Sequence, residues 1–342
     1  MSADRKRMLA CLSGGMAGDA AGALLEGRTS IDDSTARKAI AMLPGGSRSD
    51  DVQLSPGQIT DDGELMLMLL DGIATSAMEP SMGFPANEVA SNYVAWYASR
   101  PFSCGQATHN AFGKYAYASS SISTEMKKVA LAENETSESN GALMRCAPIA
   151  CWARHAPLTT IMSHAREDAR LSHPSQVCQD ANAAFCVAVS RVILTGNGEK
   201  AASLVDELAE KGNFCAKVKE WLQDSRRMND VEDYGVSQKA YTNAGHAKHA
   251  FTLAFVLLRR AGRMEHTFES ALCEVMKLGG DVDTNACICG YVMGAMRGLH
   301  PYQGVSPYVL ATLMRSEKYR TRYVRPRCLY ASRMPTLLSE IP

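Results

Sequence analysis

The sequence predicts an all-α protein, and three observations carry that reading. Apolar residues recur with helical spacing along nearly the whole chain. Alternating apolar–polar stretches, the mark of half-buried strands, are scarce. Residues 62–75 (DGELMLMLLDGIAT) are apolar nearly all round, as a helix inside a core would be. The periodicity predicts helices over 5–26, 62–75, 86–98, 106–119, 124–132, 142–152, 158–170, 175–195, 199–211, 214–223, 244–261, 266–277 and 284–297. Two polar stretches, 44–58 and 223–241, read as surface loops. Helical signal resumes at once on both sides of each, so one domain over 1–342 is expected. No fixed-period repeat is evident.

Composition narrows the class. Hydrophobic residues make up 46% and charged residues 21% of the 342 residues, an ordinary globular balance. Lys plus Arg and Asp plus Glu number 36 each, so no global field points to nucleic acid or to a membrane. The 11 cysteines form no CxxC pair and sit among apolar neighbours, as at Cys146, Cys186 and Cys289. They read as small buried hydrophobes in a reducing cytosol. No run of 18 apolar residues exists, so no membrane span is expected. The charged, then Gly/Ala-rich start is a poor secretory signal. Cytoplasmic residence is the expectation, although a specialised secretion system would leave no readable mark. Residues 315–333 carry Arg315, Lys318, Arg320, Arg322, Arg325, Arg327 and Arg333 against one acid, Glu317. This is either a solvated basic face or a contact for an acidic partner.

Two acidic clusters stand out: Thr60-Asp61-Asp62-Gly63-Glu64, and Gly279-Gly280-Asp281-Val282-Asp283-Thr284-Asn285. Each opens an apolar helix. Taken alone, Asp61 with Glu64 fits a capping box, and Asp283 fits an N-cap. Taken together they offer more carboxylates than caps require, and each is carried toward the core by the helix it opens. If the clusters met, like charges about 4 Å apart would repel by about 4 kcal/mol per pair at an effective dielectric near 20. A hard divalent cation would offset this, and Asp and Thr oxygens are the donors that Mg²⁺ or Mn²⁺ prefer. Neither cluster contains His or Cys, which argues against Zn²⁺.

Gly14, Gly18 and Gly22 recur every four residues, and Gly290, Gly294 and Gly298 repeat the device. Each set leaves one helix face bare for close packing or for a ligand. Asp19 and Glu26, seven apart, would share a face of the first helix. Asn140-Gly141-Ala142-Leu143-Met144-Arg145 opens a predicted helix whose N–H groups could receive a phosphate; an ordinary Asn-Gly turn is the other reading. His173, before Pro174, is structural or catalytic. His246 and His249 read as structural.

In this combination and order the residues resemble the ADP-ribosylglycohydrolase family, over about Gly14 to Gly298. Gly18-Asp19 through Gly22 and Glu26 resembles the family's first helix, and Thr60-Asp61-Asp62 its first metal motif. Trp96 through Pro101 with Gly105, and Asn140 through Arg145, resemble its ligand-binding segments. His173 and Gly280 through Asn285 follow. The resemblance implies a single orthogonal helical bundle with two divalent cations, Mg²⁺ or Mn²⁺, in a cleft. Thr60, Asp61, Asp62, Asp281, Asp283 and Thr284 would be ligands, with Asp283 bridging. Glu26 would reach the metals or the distal ribose. Asn140, Gly141, Met144 and His173 would line the ADP-ribose cleft, with Phe102 or Gly105 near the adenine end. Gly63 and Val282 stand where many members have Thr.

The implied activity is metal-dependent removal of ADP-ribose from a modified acceptor, with ADP-ribosylarginine on a protein favoured by the resemblance. Water would attack the anomeric carbon, with Glu26, Asp61, Asp62, Asp281 and Asp283 as the catalytic set. The implied partners are an ADP-ribosylated protein and the product ADP-ribose, not nucleic acid or membrane. The alternatives are an inactive ADP-ribose-binding or structural relative, and a metal phosphohydrolase.

Overall fold

The first helix, α1 (Ala3–Gly22), lies against a late helix, α15 (Val282–Arg297), along a seam with almost no side chains. A Cβ on Gly14 would stand 2.3 Å from the Gly290 carbonyl oxygen, one on Gly18 2.0 Å from that of Ala286, and one on Gly22 2.4 Å from the Cα of Asp283. The pairing order shows that the helices run antiparallel. The end of α1 therefore meets the start of α15, where the second acidic cluster sits. This is a computed structural model, and it describes residues 1–28, 30–42, 46–49, 52–113, 121–238, 243–260, 266–316 and 324–342.

Between these two helices the chain forms α2 (Asp33–Ile40), α3 (Asp61–Ser76), α4 (Ala86–Ala98), α5 (Gln106–Phe112) and α6 (Ile122–Asn134). A 3-10 segment at Asn140–Arg145 leads into α7 (Ala147–Trp152) and α8 (Leu158–Ala169). Then come α9 (Gln176–Thr195), α10 (Gly198–Glu210), α11 (Ala216–Arg227), α12 (Val231–Gln238), α13 (Ala247–Arg259) and α14 (Phe268–Lys277). After α15, α16 (Pro307–Arg315) and α17 (Met334–Glu340) close the chain. The expected all-α class is what the structure has: one all-helical domain. Among the described residues the strands form a two-stranded antiparallel ribbon, β1 (Gly46–Ser49) with β2 (Val52–Leu54), inside the stretch read as a loop.

The core is continuous and runs through α1, α3, α9, α13 and α15. By length and composition α9 could cross a membrane, but 89% of its apolar window is buried inside the protein, so it is a core helix here. All 11 cysteines are free, and most are buried. Several expectations need correction. Helix α1 stops at Gly22, and Glu26 lies in the turn beyond it, so Asp19 and Glu26 share no helix face. The 223–241 stretch is not a loop: α11 runs to Arg227, and α12 follows from Val231. Residues 142–145 form a 3-10 turn, not the start of an α-helix. The parts of the expected elements at 44–45, 50–51, 114–119, 239–241 and 261 lie outside the described residues, as do Glu317, Lys318, Arg320 and Arg322.

The C-terminal basic segment is not a uniformly solvated face. Arg325 is buried, and its Nε and Nη2 donate to the two oxygens of Glu64 at 2.7 and 2.9 Å. Arg333 donates to Asp71 at 3.0 Å. The segment thus straps the end of the chain to α3.

The seam makes a sharp expectation for stability. Replacing an interior helical Gly by Ala gains about 1 kcal/mol of helix propensity on average. At Gly18 the added methyl has no room, because both neighbours are backbone. Gly18→Ala should therefore destabilise the fold by about 3 kcal/mol in urea unfolding. Gly105→Ala, where a Cβ meets nothing within 4 Å, should stay within about 0.5 kcal/mol of wild type. Equal midpoints for the two variants would show that the seam is not close-packed.

Candidate active site

The two acidic clusters meet. Asp61 and Asp62 occupy the first turn of α3, and Asp283 the first turn of α15. Asp281 precedes α15 behind Gly279 and Gly280, whose positive φ of 70° and 78° turns the chain in a way that side chains rarely allow. Asp61, Asp62, Asp281, Asp283 and Thr284, together with Glu26 from the turn after α1, line one wall of a cleft of about 530 Å³. That volume suits a small-molecule ligand.

The capping readings of these acids do not survive. Thr60 is the N-cap of α3 and Asp281 that of α15, yet neither side chain makes a capping hydrogen bond. The first turn of α3 is capped instead by Asp19, from α1. Its carboxylate accepts the Thr60 and Gly63 backbone N–H groups, both at 2.9 Å, and the Thr60 hydroxyl at 2.8 Å. Asp19 therefore takes over the capping of α3, while at the start of α15 Asp283 Oδ1 accepts the Thr284 N–H at 3.0 Å.

Their electrostatics are unfavourable as they stand. Asp62 is fully buried, and its Oδ1 has no hydrogen-bond partner among the described residues. Burial, then the charges of Asp19, Asp283, Asp61 and Asp281, holds its carboxyl well above the usual range. Asp281 is pushed up to about 7 by burial and by Asp283. Its partner is neutral: Asn140 Nδ2 donates to it at 2.8 Å. The Thr284 hydroxyl reaches Asp62 Oδ2 at 3.5 Å, linking α15 to α3. An orphaned buried carboxylate oxygen amid oxygen donors is a donor set that hard divalent cations fit.

The 3-10 segment and its surroundings supply the rest of the cleft, with Asn140 adjoining the acids. Asn140, Gly141 and Met144 line it, with His173 and Gly105. A Cβ on Gly141 would stand 2.9 Å from His173 Cε1, so the absent side chain is what lets the imidazole approach. Arg145 does not reach the cleft. It is fully buried, donates to Asp168 at 3.1 Å and to the Gly141 carbonyl at 3.2 Å, and lies over the Tyr93 ring at 4.5 Å. It holds the turn from behind. His173 is also buried, with its ring nitrogens 2.8 Å from Ser172 Oγ and 2.9 Å from Ser139 Oγ. Burial, with a smaller push from Arg145, lowers its pKa to about 3.

Two expected site residues do not line the cleft. Phe102 is half-buried against the apolar core, although Ser103 to Gly105 do line it. Thr60 lies just behind the lining, its hydroxyl 2.8 Å from Asp19 Oδ1 and 3.3 Å from Asp62 Oδ2. Glu64 also departs from its cluster. It points away to Arg325, and Trp96 Nε1 donates to it at 2.7 Å, so Trp96 buttresses and does not bind ligand. Sequence reasoning missed several lining residues, among them Thr108, Asn110, Ser137, Ser139 and Gly245. The polar run Thr136 to Ser139 immediately before Asn140 was the available signal for two of them. His246 and His249 are structural, as expected. His246 caps α13 by accepting the Lys248 N–H, and His249 Nδ1 lies 2.6 Å from the Tyr234 hydroxyl.

Fold and site together define an all-helical protein with an acidic, ligand-sized cleft at the meeting of two helix starts. The chain belongs to the ADP-ribosylglycohydrolase family, whose profile matches residues 1–324. It is 25% identical over 296 residues to the ADP-ribosyl-[dinitrogen reductase] glycohydrolase of Rhodospirillum rubrum, covering 86% of each chain. It is 27% identical over 249 residues to a protein of Acanthamoeba polyphaga mimivirus that carries the name ADP-ribosyl glycohydrolase L543, covering 71% of this chain and 72% of that one. A solved structure titled as an ADP-ribosylglycohydrolase-related protein complex shares the fold, with a TM-score of 0.71 at 22% identity. The match spans 100% of this chain and 98% of that one.

The buried imidazole yields a pH test. In the unfolded chain His173 titrates near 6.5; in the fold it stays neutral down to about 3. The unfolded state binds more protons between those values. Stability from this residue is thus intact above about 6.5 and falls toward about 3, by about 1.4 kcal/mol per pH unit. His173→Gln should lose about one proton's worth of that slope between pH 6.5 and 5 in denaturant melts. Parallel slopes for variant and wild type would show that the imidazole is not held neutral.

Proposed function

We propose that the protein is a divalent-metal-dependent hydrolase that releases ADP-ribose from a modified acceptor, an ADP-ribosylated arginine on a protein. The observation that carries this is the convergence of buried carboxylates from α3 and α15 on one cleft, with Asp62 Oδ1 left unsatisfied, in a chain of this family. Asp61, Asp62, Asp281, Asp283 and Thr284 would hold two Mg²⁺ or Mn²⁺ ions. When bound, these supply Lewis acidity that acidifies water and orients ribose hydroxyls.

The remaining chemistry belongs to the protein's own groups. Breaking the bond at the anomeric carbon builds positive charge on the sugar, as in other glycoside cleavages. A wall of carboxylates faces that charge and stabilises it. One of them, or Glu26, would take the proton of the attacking water. Asn140 and Gly141 present a polar surface to the nucleotide. Neutral His173, its two ring nitrogens engaged by Ser172 and Ser139, braces that surface without adding charge near the diphosphate. The Rhodospirillum rubrum relative is named for ADP-ribosyl-dinitrogen reductase, and a protein substrate for this chain rests on that likeness.

Asp283→Asn tests the reading. The amide keeps the shape and could still cap a helix, but it removes a negative charge from the cluster. Release of ADP-ribose from an ADP-ribosylarginine peptide in Mg²⁺ or Mn²⁺ should fall by at least about 100-fold. The melting curve should show a folded protein. Near-wild-type turnover would reduce Asp283 to a structural role. No release by the wild type from any ADP-ribosylated substrate would leave a binding protein.

A further inference from the structure

Away from the cleft, three side chains from two regions of the chain come together. His266 immediately precedes the N-cap of α14, Glu274 lies within α14, and Asp230 immediately precedes α12. One ligand atom from each, an imidazole nitrogen and two carboxylate oxygens, all lie within 4.8 Å of one another. His266 is only 7% exposed. Its Nδ1 stands 3.6 Å from Glu274 Oε2, and its Nε2 3.9 Å from Asp230 Oδ2. These separations are too long for hydrogen bonds. Accordingly His266 Nδ1 and Glu274 Oε2 are both buried without a hydrogen-bond partner among the described residues. The cleft does not use this group.

We propose that Asp230, His266 and Glu274 form a second metal site, selective for Zn²⁺ or a similar transition-metal ion, that clips the start of α12 to α14. Two ligands about 2.0–2.2 Å from a tetrahedral ion stand about 3.3–3.6 Å apart, close to the His266 Nδ1–Glu274 Oε2 separation; Asp230, whose 3.9 Å approach is to the other ring nitrogen, belongs to the set at the wider limit of 4.8 Å. The donor set differs in kind from that of the cleft. One imidazole with two carboxylates suits Zn²⁺, whereas an all-oxygen set suits Mg²⁺ or Mn²⁺. Asp230 is partly exposed and gives an ion a path in from solvent. Its other oxygen accepts the Val231 N–H at 2.7 Å, which fixes the carboxylate in place. Burial, then the charges of Asp230 and Glu232, pushes Glu274 up to about 7. A cation among these acids would relieve that strain.

The test separates the two sites. In the full chain carrying Asp62→Asn and Asp283→Asn, the cleft loses charged donors while the second site is untouched. Calorimetric titration of this protein with Zn²⁺ alone should show one bound ion per chain. Adding His266→Ala, or separately the shape-conserving Glu274→Gln, should weaken that binding by more than about tenfold. Zn²⁺ should raise the melting temperature of the parent and not of either variant. Two results would overturn the proposal: no Zn²⁺ binding by the parent, or the same affinity after Glu274→Gln. Glu274→Gln carries the decision if His266→Ala fails to fold.

Discussion

The site depends on the backbone-to-backbone seam between α1 and α15. Because Gly18 lacks a side chain, its Cα lies against the Ala286 carbonyl, and Gly22 lies against the Cα of Asp283. Close approach of this kind needs small residues on the facing surfaces, and it gives up apolar side-chain burial along the seam. In return it fixes three things at once. It sets Asp283 beside the end of α1. It brings Asp19 to the start of α3, where that carboxylate caps the helix. It also directs the turn that carries Glu26 into the cleft.

The chain treats its buried carboxylates in two ways. Three buried acids that serve the fold meet a guanidinium, Glu64 with Arg325, Asp168 with Arg145 and Asp180 with Arg166, whereas Asp19 meets backbone N–H groups and the Thr60 hydroxyl. Removing one partner of such a pair would leave an uncompensated buried charge, at a cost of several kcal/mol. In the cleft, Asp62 and Asp281 receive neutral donors, and one oxygen of Asp62 has no hydrogen-bond partner among the described residues. The proposed cations would complete this cluster as the guanidinium groups complete the others. The same logic, with an imidazole among the donors, underlies the group at Asp230, His266 and Glu274.

How much of this was legible in the sequence follows from which forces are local. The apolar run of α3 and the four-residue glycine spacing are periodic signals, and both elements appear where the pattern put them. The two acidic motifs were legible because they combine excess charge with a helix start. Long-range partners were not. Asp19 caps a helix 41 residues away, and Arg325 reaches Glu64 from 261 residues away. No local pattern encodes either contact, so Glu64 read as a capping-box partner of Asp61 and not as the partner of Arg325. The end of α1 at Gly22 was hidden because residues 23–26 are themselves acceptable helix formers. The short amphipathic helix α2 was hidden by its polarity, and α12 by the polar residues around it. Phe102 was misplaced because an aromatic side chain beside a ligand segment packs equally well on the core.

The central claim is that the cleft's carboxylates are assembled for hard divalent cations. Thermal unfolding of the wild type and of Asp62→Asn/Asp283→Asn, each in chelator and in saturating Mg²⁺, tests it most directly. Mg²⁺ at about 100 times its dissociation constant should stabilise the wild type by about 2.7 kcal/mol. It should leave the double variant nearly unmoved, and in chelator the variant should be the more stable of the two, because its repulsion is relieved. Superimposable wild-type curves with and without Mg²⁺ would contradict the account.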